Sequence, residues 1–480
     1  MSNLKSQTLN GFLWSMIERF SIQIIQFVLG IVLARLLLPS DYGLIGMLAI
    51  FISISNALID SGFSQALIQK KNTSQKDYST VFYFNIIAAV IVYLILYSLA
   101  KPVSAFYEEP LLEELVKVMG LNIIFSSFSI VQITILTKKL DFKTNSKASL
   151  ISVVISGVVA LCFAYWGWGV WALVIQVLLK SIINSLLLLL LTGWKPILGF
   201  SKKSFDSLFS FGSKLLMSGL LNAIFNNIYL IIIGKFYNIK ELGYYTRANQ
   251  FQQLPSETIT VILQRVTFPV LSKIQDEEEK LASYYRKFIK LAAFINFPLM
   301  IGLIVVAKPL IIFLLTDKWV DAAPFLQLLC FVGILYPVHA INLNLLKVKG
   351  RSDLFLKLEI YKKILIILSI VLTVSYGIKA LIIGQILTSI ISLYLNTYYT
   401  KRMINYGFFS QLRDLFLYFL TSIITGFVVY FSIVYIEGNG MKLITAFFVG
   451  VVAYFLLSFL FKVNELEEIK KLIILKNNKN

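Results

Sequence analysis

The chain has 480 residues, of which 58% are hydrophobic and only 14% charged, and its mean hydropathy is +0.79. A water-soluble domain of this size is near half apolar and a quarter charged, so a water-soluble fold is excluded and lipid is the expected solvent. The formal net charge of +19 does not signal a nucleic-acid binder, because the basic residues sit in short connectors between apolar runs rather than on one water-facing surface.

A hydrocarbon layer about 30 Å thick needs roughly 20 apolar residues per helical pass. Unbroken Leu- and Ile-rich runs such as 81–99 and 446–461 fit such helices and not barrel strands, which would be shorter and alternate in polarity. In chain order the runs predict about 14 spans, near 12–36, 43–67, 79–99, 114–136, 148–166, 169–192, 208–234, 245–269, 288–314, 323–346, 359–376, 378–399, 414–436 and 441–461. The first run carries Glu18 and Arg19 and continues to Leu38 without a small-residue cleavage pattern, so it reads as a retained span and not a signal peptide. The eighth is the most polar, interrupted by Gln250, Gln252, Gln253, Glu257, Gln264 and Arg265. Cys162 and Cys330 both fall inside apolar runs and read as small buried hydrophobes; no disulfide framework, metal site or cofactor is implied.

Charge bias sets the expected orientation. With the N-terminus inside, the cytoplasmic connectors and tails hold about 30 of the 44 basic residues and the outer connectors about 10, so both termini are expected in the cytoplasm. The acidic loop around Glu108, Glu109, Glu113 and Glu114 then lies outside, and the run Asp276 to Glu279 lies in the central cytoplasmic connector as a solvated helix start. The tail from Asn464 to Leu475 has a capping residue and amphipathic spacing, which suits a helix lying on the inner membrane surface.

The chain also repeats itself. At a shift of about 200 residues Leu37 to Gly43 aligns with Tyr237 to Gly243; farther on Ala100-Lys101-Pro102 aligns with Ala307-Lys308-Pro309, and Gly169 to Leu173 with Gly377 to Leu381. Six spans per repeat is an even number, so the two halves enter the membrane from the same side. The expected architecture is all-α integral membrane, with two parallel six-helix lobes (1–195 and 196–405) around a central cleft, two additional C-terminal helices (406–462) and a cytoplasmic tail (463–480).

Ionisable side chains at mid-bilayer cost about 2.5–3.5 kcal/mol each on insertion scales, so those present should meet a partner or a watery cavity. Arg19, Lys180, Lys214, Arg247 and Arg265 would make a cleft electropositive and suited to an anionic cargo such as a pyrophosphate, since a guanidinium can hold two phosphate oxygens at once. The same charges could instead satisfy neighbours such as Glu18 and Glu257, or snorkel to the interface. Asp60 and Glu257 are the carboxylates that could couple transport to a cation, either a proton or sodium. His339 reads as a hydrogen bonder between helices rather than a relay.

Five segments carry a family resemblance: LARLLLPSDYGLIGM (33–47), DSGFSQALIQ (60–69), GVWALVIQ (169–176), the long stretch FSFGSKLL to QFQQLP (209–255), and RVTFPVLSKIQ (265–275). Together they make a chain that resembles the polysaccharide-transporter branch, the Wzx-type flippases, of the multidrug/oligosaccharidyl-lipid/polysaccharide exporter superfamily. The resemblance implies a non-enzymatic flippase of the bacterial cytoplasmic membrane. It would carry an undecaprenyl-pyrophosphate-linked oligosaccharide from the cytoplasmic to the periplasmic leaflet by alternating access, for O-antigen, capsule or exopolysaccharide assembly. Membrane lipids, a coupling cation and a polymerase or other assembly protein are the partners such a role implies. A drug or organic-cation antiporter would line its cleft with acids and aromatics instead, and a lipid II flippase of the same superfamily is the nearer alternative. A polymerase or glycosyltransferase would need clustered acids or histidines on a sizeable loop, and none is evident.

Overall fold

The computed structural model describes residues 20–60, 62–70, 72–463 and 465, with the side chains of 59, 60, 210, 211 and 213–215 outside the description. The chain is an all-α multi-pass membrane protein. Its helices are α1 (Phe20–Leu36), α2 (Pro39–Asp60), α3 (Phe63–Gln69), α4 (Gln75–Tyr107), α5 (Leu111–Lys138), α6 (Phe142–Tyr165), α7 (Val170–Thr192), α8 (Lys202–Phe236), α9 (Ile239–Lys273), α10 (Glu278–Leu315), α11 (Ala322–Ile334), α12 (Tyr336–Val348), α13 (Ser352–Thr373), α14 (Ile378–Ile404), α15 (Phe408–Val434) and α16 (Asn439–Leu460). Among the described residues each expected span overlaps one helix or a consecutive pair, the first only over 20–36. Among the described residues 11 stretches are long and apolar enough to cross a membrane; α9 and α13 fall outside that set, and the described part of α1 is shorter. The amphipathic tail lies outside the described residues, except for Glu465.

Two compact units divide the chain, 1–243 and 244–480. In the first, α4 and α5 form a long hairpin, α7 packs on α5 and α6, and α8 packs on α2. Thus α8, which the repeat counts as the first span of its second half, is packed with the first unit. The α6 seam shows how helices adhere where lipid removes the hydrophobic drive between them. Ala148, Ser152, Ser156, Ala160 and Ala164 recur every fourth residue and all are buried, so the backbones approach closely and dispersion contacts accumulate. An aromatic cluster joins α3, α4, α5 and α8 through Phe63, Phe82, Phe128 and Phe205, and Trp194 packs against it from the connector that follows α7. In the second unit α10 packs on α11, α15 and α16, and α13 packs on α14.

Two spans expected to be continuous are broken. Gly62, at φ 71°, ends α2 and starts the short α3, whose terminal carbonyls are capped by Lys138: its Nζ donates to the Leu67 and Lys70 oxygens at 3.1 and 2.5 Å. The tenth span breaks at Leu335 because Pro337 has no N–H to offer the Gly333 carbonyl one turn back. Asn296 of α10 repairs the break by donating to the carbonyls of Gly333 and Ile334, both at 2.9 Å. Non-helical backbone at membrane depth survives when it is re-satisfied in this way.

The backbone itself carries the repeat. Left-handed or positive-φ residues occur in pairs at offsets of 208 to 212: Glu108 and Thr316, Leu140 and Gly350, Gly169 and Gly377, Gly193 and Asn405. Three of these eight are neither Gly nor Asn and strain the chain at helix ends, so equivalent turns recur in spite of sequence and not because glycine permits them. Pro102 and Pro309 lie inside α4 and α10, each two residues after a fully buried alanine.

Candidate functional site

The eighth span, the least apolar of the set, is a single 35-residue helix, α9. One face is buried along Tyr244, Ala248, Gln252, Ser256, Thr260, Leu263, Thr267 and Leu271, at the three- and four-residue spacing of a helix stripe. Its open side presents Gln250, Gln253, Glu257 and Arg265, all exposed. A stripe of amides and charges on a membrane helix is far more stable against water than against hydrocarbon, which accounts for the low hydropathy of this span. Glu257 also lies within electrostatic reach of the Tyr336 hydroxyl at the start of α12.

Arg247 differs from its neighbours on the same helix. It is 5% exposed, and its Nη1 donates to the Gln250 side-chain oxygen one turn on. Arg247 and Arg265 share a helix face but stand 18 residues apart, which is about 27 Å. One diphosphate, only a few ångströms long, cannot touch both. The two arginines therefore do not form a single anion clamp.

In the first unit, Lys180 occupies the middle of α7, ten residues from its start. It is half-buried, and among the described residues it has no hydrogen-bond or ion-pair partner. Beside it a polar seam joins α7 to α5. Ser181 donates to the Asn122 side-chain oxygen, Ser126 donates to Ser181 at 3.3 Å, and Ser185 donates to the Phe125 carbonyl at 2.6 Å. Asn184, one turn along α7 from Lys180, has a buried side-chain oxygen with no hydrogen-bond partner among the described residues. An ammonium at mid-helix, on the same helix as a row of hydroxyls, is chemically suited to an anionic or heavily hydroxylated group.

Three of the residues singled out in the sequence are not placed in full. Arg19 lies outside the described residues. Asp60 is the last residue of α2 and Lys214 lies in the first half of α8, and both side chains are outside the description. Lys180, Asp60 and Lys214 belong to the first unit; Arg247, Glu257 and Arg265 belong to the second. His339 is held between α12 and α14, with Asn396 at 3.2 Å from Nδ1 and Ser389 at 2.9 Å from Nε2. Both ring nitrogens are thus engaged, and neither is left over for a metal. Among the described residues no three of His, Cys, Asp and Glu gather as a metal site. The α5–α7 seam escaped the sequence reading because serines spaced along two apolar helices look like ordinary packing residues until the helices are placed face to face.

With this geometry in view, comparison with known proteins is decisive on family. The family described as polysaccharide biosynthesis protein matches residues 32–324. The chain belongs to it. Among curated relatives, the teichuronic acid biosynthesis protein TuaB of Bacillus subtilis is 29% identical over 364 residues, covering 74% of this chain and 74% of the relative. The lipopolysaccharide biosynthesis protein WzxC of Escherichia coli is 27% identical over 376 residues, covering 77% and 76%. The fold resembles that of the lipid II flippase MurJ in its inward closed conformation, with a TM-score of 0.78 at 16% identity over 95% of this chain and 100% of that one. An inward-facing multidrug resistance MATE family transporter of the MOP superfamily gives a TM-score of 0.62 at 15% identity, covering 81% and 98%. This polysaccharide-family membrane protein thus shares its fold with a flippase and a multidrug transporter.

Proposed function

We propose that this protein is a flippase for undecaprenyl-pyrophosphate-linked oligosaccharide. It carries that cargo from the cytoplasmic to the periplasmic leaflet of a bacterial cytoplasmic membrane, with both of its own termini in the cytoplasm. The observation that carries the reading is Lys180, a cation at mid-helix with no hydrogen-bond or ion-pair partner among the described residues. A lysine held so deep is costly unless something anionic or aqueous meets it, and the pyrophosphate of a lipid-linked sugar supplies the anion. The exposed amides of α9 suit sugar hydroxyls, and the relatives are named for the biosynthesis of teichuronic acid and lipopolysaccharide, both of which contain glycans.

In this reading two six-helix lobes, 1–195 and 196–405, alternate access to the two leaflets, and helices 406–462 are an addition to the repeat. Asp60 and Glu257 are the candidate sites for a coupling cation, and Arg19, Lys214, Arg247 and Arg265 act at successive stages along the path rather than as one clamp. A polymerase or other assembly protein would receive the cargo for O-antigen, capsule or exopolysaccharide synthesis. The test is leaflet exchange of a labelled polyprenyl-pyrophosphate oligosaccharide in proteoliposomes. Lys180→Ala should slow exchange about tenfold or more while Lys180→Arg retains it; exchange at the native rate by a folded Lys180→Ala protein would remove this residue from the site. No exchange by the native protein would reject the cargo.

A further inference from the structure

The first turns of α2 and α9, both within the first unit, interlock reciprocally. A methyl group placed on Gly43 would stand 2.1 Å from the Ile239 carbonyl oxygen, and one placed on Gly243 would stand 1.8 Å from the Pro39 carbonyl oxygen. Each glycine is the fifth residue of its helix, and each carbonyl belongs to the first residue of the other. Pro39 and Ile239, like Gly43 and Gly243, are partners in the internal repeat at an offset of 200. The contact is therefore isologous: the same patch of each repeat meets its counterpart across a local twofold axis.

An isologous contact lies on the axis that generates it. In a transporter built from a parallel repeat, that axis runs along the membrane normal. The crossing thus sits at the end of α2 and α9 that charge bias assigns to the outside. More packing reinforces the same end. Lys235, near the end of α8, pairs with Glu108 at the end of α4 at 2.9 Å, and Gly234 lies under Tyr107, Met47 and Leu242. No residue larger than glycine fits at 43 or 243 without separating the helices.

We propose that the Gly43–Gly243 crossing is the outer gate of the transport path, shut in this structure, and that the absence of side chains at these two positions is what allows it to shut. The inference rests on the transporter reading but not on the identity of the cargo.

Labelling of a reporter cysteine tests it. Asn56 lies 13 residues beyond Gly43 on α2, about 20 Å deeper, and is exposed. In a Cys162→Ser, Cys330→Ser background carrying Asn56→Cys, a membrane-impermeant maleimide added outside intact cells should label slowly. Adding Gly43→Val or Gly243→Val should prop the crossing apart and speed that labelling about tenfold. Should the valine variants fail to accumulate, Gly43→Ala and Gly243→Ala should move labelling the same way by a smaller factor. Gly302→Val, at a position with open space around it, is the control and should label at the parent rate. An unchanged rate in folded gate variants, an equal rise in the control, or a rise seen only from the cytoplasmic face would each overturn the proposal. Because labelling needs no cargo, failure of glycolipid exchange with accelerated labelling would reject the cargo and keep the gate, and the converse would reject the gate alone.

Discussion

Asn296 and Gly333 hold the second unit's broken span together: the Asn296 amide nitrogen donates to the Gly333 carbonyl at 2.9 Å, taking the place of the N–H that Pro337 lacks. The same nitrogen reaches the Ile334 carbonyl, and Asn296 is fully buried. Removing the amide leaves two carbonyls without a donor in a dry interior, at about 1–3 kcal/mol for each group left unsatisfied. Asn296→Ala should therefore lower the thermal unfolding midpoint in detergent by several degrees. Pro337→Ala combined with Asn296→Ala should recover part of that loss, because an alanine N–H can again serve Gly333. A double variant no more stable than the single would show that the amide does something other than repair the break.

The α6 seam makes a second prediction. Ala160 is wholly buried and Val158, two residues away, is 54% exposed toward lipid. A leucine forced into the seam must push α6 from its neighbour, and overpacking of this kind costs about 1–3 kcal/mol. Ala160→Leu should destabilise the protein by that order, whereas Val158→Leu should leave the melting midpoint unchanged. Equal effects at the two positions would mean that the small residues do not set the helix spacing.

Much of this arrangement was legible in the sequence, and the parts that were not share a physical reason. The helices follow from apolar run length alone, so α4, α5, α7 and α14 to α16 coincide closely with expected spans. The repeat was visible where glycine, proline and charge mark helix ends, because those residues are fixed by backbone geometry that both halves need. Hidden from sequence were the breaks at Gly62 and Leu335, since a hydropathy reading runs through a single glycine or proline without registering lost hydrogen bonds. Hidden too was the fate of the intramembrane charges. Composition counts Arg247 and Arg265 as two cations of one cleft, while helix rise separates them by about 27 Å. The α5–α7 seam could be seen only once the two helices faced each other.

His339 provides a test of what the lone histidine does. With Asn396 at Nδ1 and Ser389 at Nε2, the ring links α12 to α14. His339→Ala should lower thermal stability through the lost interhelical bonds, each worth about 0.5–1.5 kcal/mol net. It should leave the shape of the pH–transport profile unaltered. A displaced profile would make the ring part of a proton path.

The ion pair of Glu108 and Lys235 yields a pH prediction whose sign can be worked out. The Lys235 ammonium, hydrogen-bonded to Glu108 at 2.9 Å, holds this carboxyl below its ordinary range. A carboxylate with a depressed folded-state pKa contributes its stabilisation above the unfolded value, near pH 4.3, and loses it as pH falls through the folded value. Between pH 5 and pH 8 the pair is therefore fully charged and contributes no pH dependence to opening at the end of α8. The Glu108 side chain is 80% exposed, so the attraction is screened and weakens with ionic strength. Outer labelling of the Asn56→Cys reporter should accordingly be flat from pH 5 to pH 8 once corrected for the reactivity of the thiol. It should rise modestly with added salt, and Glu108→Gln should abolish that salt response. A salt response that persists in Glu108→Gln would assign the screened contact to other charges at this end of the molecule.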